Sequence, residues 1–326
     1  MAMNQTSMKM GTILFIVLLF SFMSVMISSC KKESKNTPLN IDYKKGTEGL
    51  AFDFLKNVPP NKVFESSEFS VSANLKNKGA YDIKKGFLTI ALETDYIKPT
   101  SSQTQTFALK GRSISNPGGD AQFIEFRAQT RNINKLSERH QSTIILTACY
   151  DYATEANQKV CIDFDSLQQS PLQKVCEAKD ATLTDQGAPI AITKIEHKMQ
   201  PSGTNTAKSQ FVVHITNKGN GRPVNITGLA DACKDTQLPP NYFDIVYIDT
   251  VQLSSNYIFK WGDEDTSQGI ICKPNPVRLE NKEGYFICTT NEIENKGNYE
   301  TQLFIRLVYG YTESKSMPIE IQRLMR

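Results

Sequence analysis

Two stretches of this chain recur in the same order. Residues 71–79, VSANLKNKG, align with residues 211–219, FVVHITNKG, and both close on Asn-Lys-Gly. Farther on, residues 144–152, IILTACYDY, align with residues 303–311, LFIRLVYGY, and Thr-Glu follows each, at Thr154-Glu155 and Thr312-Glu313. Two matches in one order indicate a duplicated unit, and the alternation inside them makes it a β unit. Phe69, Val71, Ala73 and Leu75 fall on one face of residues 68–76, and Ile144, Leu146, Ala148, Tyr150 and Tyr152 on one face of residues 142–152. A period of two is the signature of a half-buried strand.

Around these anchors the first half reads as about seven short strands separated by polar turns, which suggests a β-sandwich. Residues 50–55, 87–92, 106–109 and 122–128 supply further strands, and residues 159–163 are expected to pair back on 142–152 after a reversal near Thr154 to Ala156. A polar connector, residues 166–187, precedes a second half that opens with the strands 188–197 and 209–217. That half is longer, with Pro239-Pro240, a strand at 243–253 and a cysteine-bracketed hairpin turning at 281–284. Residues 48–165 and 188–326 are thus the two expected domains.

Residues 11–30, GTILFIVLLFSFMSVMISSC, set the location. The run holds no charge. Its apolar length of roughly 18 residues exceeds a signal core of ~7–15 and approaches the ~20 of a membrane-spanning helix. It ends in Ile27-Ser28-Ser29-Cys30, which resembles the lipobox of prokaryotic lipoproteins, and that resemblance implies lipidation of Cys30 and removal of residues 1–29. An uncleaved N-terminal anchor helix is the alternative. Either way the folded part lies outside the cytoplasmic membrane, on a polar tether, residues 30–47.

The chain carries 37 basic and 34 acidic residues. That near balance leaves no field to recruit nucleic acid. Six cysteines follow Cys30: Cys149, Cys161, Cys176, Cys233, Cys272 and Cys288. An even number in an exported chain reads as disulfides. Cys149 with Cys161 across a hairpin, or Cys161 with Cys176 across a short loop, are competing pairings, and Cys272 with Cys288 brackets a hairpin. Without a C-x2-C pair, zinc is not expected.

The strand ending in Asn-x-Gly, at Asn77-Lys78-Gly79 and Asn217-Lys218-Gly219, is similar to the immunoglobulin-like modules called cell-adhesion-related domains of bacteria and archaea. The Tyr-x-Tyr strands, Tyr150 and Tyr152, then Tyr309 and Tyr311, look like those of uncharacterised archaeal envelope proteins with this architecture. The resemblance implies an all-β fold of two tandem immunoglobulin-like β-sandwiches after the N-terminal signal or anchor helix. Gly79 and Gly219 would then permit a positive-φ turn.

No catalytic constellation stands out. His140, His197 and His214 lie far apart, and no phosphate loop, G-x-S-x-G elbow or H-E-x-x-H occurs. Asp263-Glu264-Asp265 reads as a solvated turn rather than a calcium loop. Tyr257, Phe259 and Trp261 alternate as a strand's core face, with a sugar-stacking platform as the rival reading, and Asn225-Ile226-Thr227 is a glycosylation sequon. The expectation is a membrane-anchored envelope lipoprotein acting without cofactor or metal as a binding, adhesion or scaffold module for a protein or glycan. A structural spacer in a surface assembly, or a hydrolase hidden in the second domain, are the alternatives.

Overall fold

Alternating side chains along most of the chain build an all-β protein. The computed structural model describes residues 43–164, 174–234, 238–262 and 268–324. The apolar run with Cys30 and the acidic cluster at 263–265 lie outside the described residues. Among the described residues no helix is long and apolar enough to cross a membrane.

The first half holds β1 (Leu50–Phe54), β2 (Lys62–Phe64), β3 (Glu68–Asn77), β4 (Ile83–Ala91), β5 (Ile97–Pro99), β6 (Thr104–Leu109), β7 (Ala121–Thr130) and β8 (Arg139–Ile162). The connector contributes β9 (Ala181–Thr182). The second half follows with β10 (Ile190–Pro201), β11 (Thr206–Asn217), β12 (Arg222–Val224), a short helix α1 (Leu229–Ala232), β13 (Ile245–Gln252), β14 (Ile258–Lys260), β15 (Ile270–Lys273), β16 (Val277–Arg278), β17 (Glu283–Thr290), β18 (Ile293–Glu294) and β19 (Tyr299–Gln322).

Three sheets result. One has the order β1-β3-β7-β5, a second β15-β17-β11-β10-β9, and a nine-stranded third runs β14-β13-β19-β8-β4-β6. The duplication is visible in the register. Leu50 lies opposite Asn77, as Ile190 lies opposite Asn217. Each half therefore gives one four-strand path, β1-β3-β7-β5 or β10-β11-β17-β15, and one half of the shared sheet, β8-β4-β6 or β19-β13-β14.

The expected reversal near Thr154 to Ala156 does not occur. β8 runs on for 24 residues, and so does β19, paired with it from Tyr299 opposite Ile162 to Gln322 opposite Arg139. Residues 153–160 contain neither Gly nor Pro, and β19 pairs with them without a break. The pairing is self-complementary. Tyr150 faces Tyr311, Tyr152 faces Tyr309, and between them Asp151 faces Gly310. Since Tyr150 aligns with Tyr309 and Tyr152 with Tyr311, a pseudo-twofold axis passes between Asp151 and Gly310, as at an isologous dimer contact.

The core follows that axis. Ile144, Leu146, Ala148, Tyr150 and Tyr152 are buried as alternation requires, and so are their counterparts Leu303, Ile305, Leu307, Tyr309 and Tyr311. One hydrophobic cluster runs through both halves.

Candidate functional site

The two repeated motifs meet. In the first half Asn77 Oδ1 accepts hydrogen bonds from the Gly79 N–H (3.1 Å) and the Tyr152 hydroxyl (3.2 Å), while Nδ2 donates to the carbonyls of Tyr81 (2.6 Å) and Leu109 (3.1 Å). In the second, Asn217 Oδ1 accepts from the Gly219 N–H (3.1 Å) and the Tyr311 hydroxyl (2.9 Å), and Nδ2 donates to Gly221 O (2.9 Å). Each Asn-Lys-Gly turn is thus locked to the second tyrosine of its own half. Neither Gly79 nor Gly219 adopts a positive φ. They are glycines because a Cβ at Gly79 would collide with the Tyr152 hydroxyl and lie 2.5 Å from Gly187 O, and one at Gly219 would collide with the Tyr311 hydroxyl.

The four tyrosines form a box on the axis. Ring centroids are 5.7 Å apart for Tyr150 and Tyr152, 5.8 Å for Tyr150 and Tyr311, and 6.4 Å for Tyr152 and Tyr309. The first tyrosines hold the leading strands in matched fashion. The Tyr150 hydroxyl accepts from Leu50 N–H (3.3 Å), and the Tyr309 hydroxyl from Ile190 N–H (3.4 Å). Burial pushes all four phenols up, so they stay neutral hydrogen-bonding groups.

Beside this box opens a cleft of about 500 Å³. It is lined by Leu50 to Asp53 of β1, by Glu313 and Lys315 of β19, and by the turn Lys218 to Asn220, with the buried Tyr150 and Tyr311 at its base. Lys76 of β3, Lys78 of the turn after it and Glu48 also reach it. Two ion pairs cross it, Lys78 to Glu48 and Lys315 to Asp53, both at 3.2 Å. Burial raises the Glu313 carboxyl, an effect that Lys315 opposes. The arrangement offers donors, acceptors and charges of both signs, but no histidine and no thiol.

The histidines lie elsewhere and apart from one another. His140 bonds to Glu93 (3.1 Å) and stacks on Tyr96, and His214 bonds to Glu196 (3.2 Å) on β10. His197 is buried, stacks on Phe211 and meets the Ser209 hydroxyl at 2.7 Å. Burial lowers its pKa to about 4. A Ser–His pair suggests a nucleophile, but Ser209 is fully buried and neither residue borders the cleft. No group of three or more metal-ligating side chains occurs among the described residues.

All six cysteines after Cys30 are paired. Cys161–Cys176 and Cys272–Cys288 form as two of the expected pairs, the latter between residues directly opposite on β15 and β17. Cys149 does not pair with Cys161, because no hairpin brings them together. It bonds Cys233, just after α1, tying the second half's insertion onto β8 in a small apolar cluster with Val224 and Leu229. Asn225 of the sequon is half-buried, and its Oδ1 accepts from the Thr227 N–H (3.0 Å) and hydroxyl (2.8 Å). Tyr257 and Phe259 pack against the core as alternation predicts, whereas Trp261 does not. It is 41 % exposed and stacks on Tyr247 at 4.2 Å, since β14 ends before it.

No model of a known protein family matches the chain, and no curated protein does. Among solved structures, one similar chain is a DUF4466 family protein from Parabacteroides merdae ATCC 43184, at 9% identity and a TM-score of 0.16, covering 76% of this chain and 100% of that one. A likeness this slight carries no argument about function. None of these comparisons supports the resemblance to cell-adhesion-related or archaeal envelope modules.

Proposed function

We propose that this protein is a membrane-anchored cell-envelope lipoprotein whose two immunoglobulin-like sandwiches form one non-catalytic binding, adhesion or scaffold module on the extracytoplasmic side. The observation that carries the binding reading is the cleft on the pseudo-twofold axis, where an edge strand, two ion pairs and neutral tyrosines converge and no histidine or cysteine is among the lining residues. The immunoglobulin-like reading draws on the second half, whose sheets β10-β11-β17-β15 and β14-β13-β19 follow the A-B-E-D and C′-C-F orders of such sandwiches, with β8 standing where a last strand would lie. Full pairing of the six cysteines fits an oxidising compartment.

Two measurements test this. A Cys30→Ala variant should lose lipid labelling and shift to the soluble fraction, and unchanged labelling would remove the lipoprotein reading. The purified full chain should retain a defined envelope protein or glycan saturably. Ordered self-assembly with no such retention would favour the structural-spacer reading instead.

A further inference from the structure

The pseudo-twofold axis makes two equivalent grooves, and their contents differ. In the second half the outer edge of β10 is covered by this chain's own connector. β9 pairs with β10, Ala181 opposite Ile195, and Leu183 N–H then donates to Thr193 O (2.9 Å). Gln186 completes the cover with a side-chain amide that imitates a strand: Ile192 N–H donates to its Oε1 (2.9 Å), and its Nε2 donates to Ile192 O (3.1 Å). Gly187 O then accepts from Ala80 N–H (2.8 Å) and from the Tyr152 hydroxyl (3.4 Å).

Each of these docking points has a counterpart in the first half, set by register. Phe52 lies opposite Leu75, two residues before Asn77, as Ile192 lies opposite Ile215, two before Asn217. Asn220 follows Gly219 as Ala80 follows Gly79, and Tyr311 corresponds to Tyr152. Gly49 O bonds to Lys78 N–H just past β3 and Leu55 N–H to Ser72 O of β3, so alternation turns Leu50, Phe52 and Phe54 toward the outer edge. There Leu50 N–H is held by Tyr150 and Phe54 N–H by the Asp53 carboxylate. Among the described residues nothing pairs with the N–H or C=O of Phe52, or with Asn220 N–H. Both residues line the open cleft.

We propose that this cleft is the docking groove for an extended, acidic polypeptide segment of a partner protein, which adds to the edge of β1 as the connector adds to β10. This rests on the binding-module reading above and names the partner chemistry. A glutamine side chain of the incoming segment closes the ring with Phe52 N–H and C=O, and the carbonyl of the following residue takes the Asn220 N–H. Edge-strand addition supplies affinity through the main chain and specificity through side chains. Charge selects the partner: Lys78 and Lys315 are paired with Glu48 and Asp53, which leaves two lysines of the lining, Lys76 and Lys218, against one carboxylate, Glu313, and so a surplus of positive charge.

The test uses the full chain in detergent and, as probe, a synthetic peptide with the sequence of residues 181–188, ATLTDQGA, which fills the equivalent groove and carries the acidic residue and glutamine. Saturating peptide should slow amide exchange at Phe52 at least about tenfold and leave Ile192 unchanged. A peptide with leucine in place of the glutamine should fail to do so. The double variant Lys76→Glu, Lys218→Glu, both at exposed positions, should weaken binding about tenfold, as expected for two surface charge pairs turned repulsive. No change at Phe52 at millimolar peptide would overturn the proposal. So would a Phe52 amide already as protected as Ile192 in the free chain, because the chain would then fill its own groove. Failure of the peptide to protect Phe52 with intact retention of an envelope partner would sink the groove and leave the module reading standing.

Discussion

Replacing Asn77 by alanine removes a side chain that satisfies groups from four places at once. The carbonyls of Tyr81 and Leu109 lose their donor, and the Gly79 N–H and Tyr152 hydroxyl lose their acceptor. Asn77 is fully buried, so water does not replace these partners without opening the turn. A buried hydrogen bond contributes about 1 kcal/mol net, and an orphaned polar group costs ~1–3 kcal/mol. With part of the loss relieved by relaxation of the turn, Asn77→Ala should cost about 3 kcal/mol. Tyr152→Phe removes one of the four bonds together with that hydroxyl's longer contacts to Gly187 O and Tyr81 N–H, both 3.4 Å, and should cost about 1–2 kcal/mol. Urea denaturation of both single variants and the double variant gives the coupling, expected at about 1 kcal/mol because both residues share one bond. An Asn77→Ala loss under ~0.5 kcal/mol, the scale of an ordinary surface change, or a coupling near zero, would refute the lock.

His197 gives a pH signature. Its folded pKa of about 4 lies below the ordinary value of 6.5, so the unfolded chain binds the proton first. Stability is complete above pH 6.5 and falls as pH drops toward 4, by about 3 kcal/mol at most. His197→Gln should flatten the pH dependence of urea midpoints in that window, and an unchanged slope would contradict the burial argument. Cys149→Ala with Cys233→Ala should cost ~2–4 kcal/mol and loosen α1 from β8. Non-reducing peptide mapping should return Cys149–Cys233, Cys161–Cys176 and Cys272–Cys288, and a Cys149–Cys161 peptide would overturn the uninterrupted β8.

The strands and their inward faces were legible because alternation is local. The sequence also shows Asn-Lys-Gly and Tyr-x-Tyr as repeats, but their meeting is not written locally: Asn77 and Tyr152 are 75 residues apart, Asn217 and Tyr311 94. The same distance effect hid Cys149–Cys233, at a separation of 84, while the pairs separated by 15 and 16 were within reach of a local argument. β8 misled for a different reason. Alternation through residues 142–163 suits a reversed hairpin as well as one long strand, and only β19 decides between them. The groove was the least visible feature, because it depends on the connector covering β10 and leaving β1 bare.

Amide exchange resolved by residue in the free full chain tests that asymmetry directly. The account predicts that Ile192, closed by Gln186, is strongly protected, while Phe52 exchanges far faster than its neighbour Ala51, which is bonded to β3. Equal protection at Phe52 and Ile192 would mean that both grooves are filled, and would contradict the claim that one of two duplicated edges is left open for a partner.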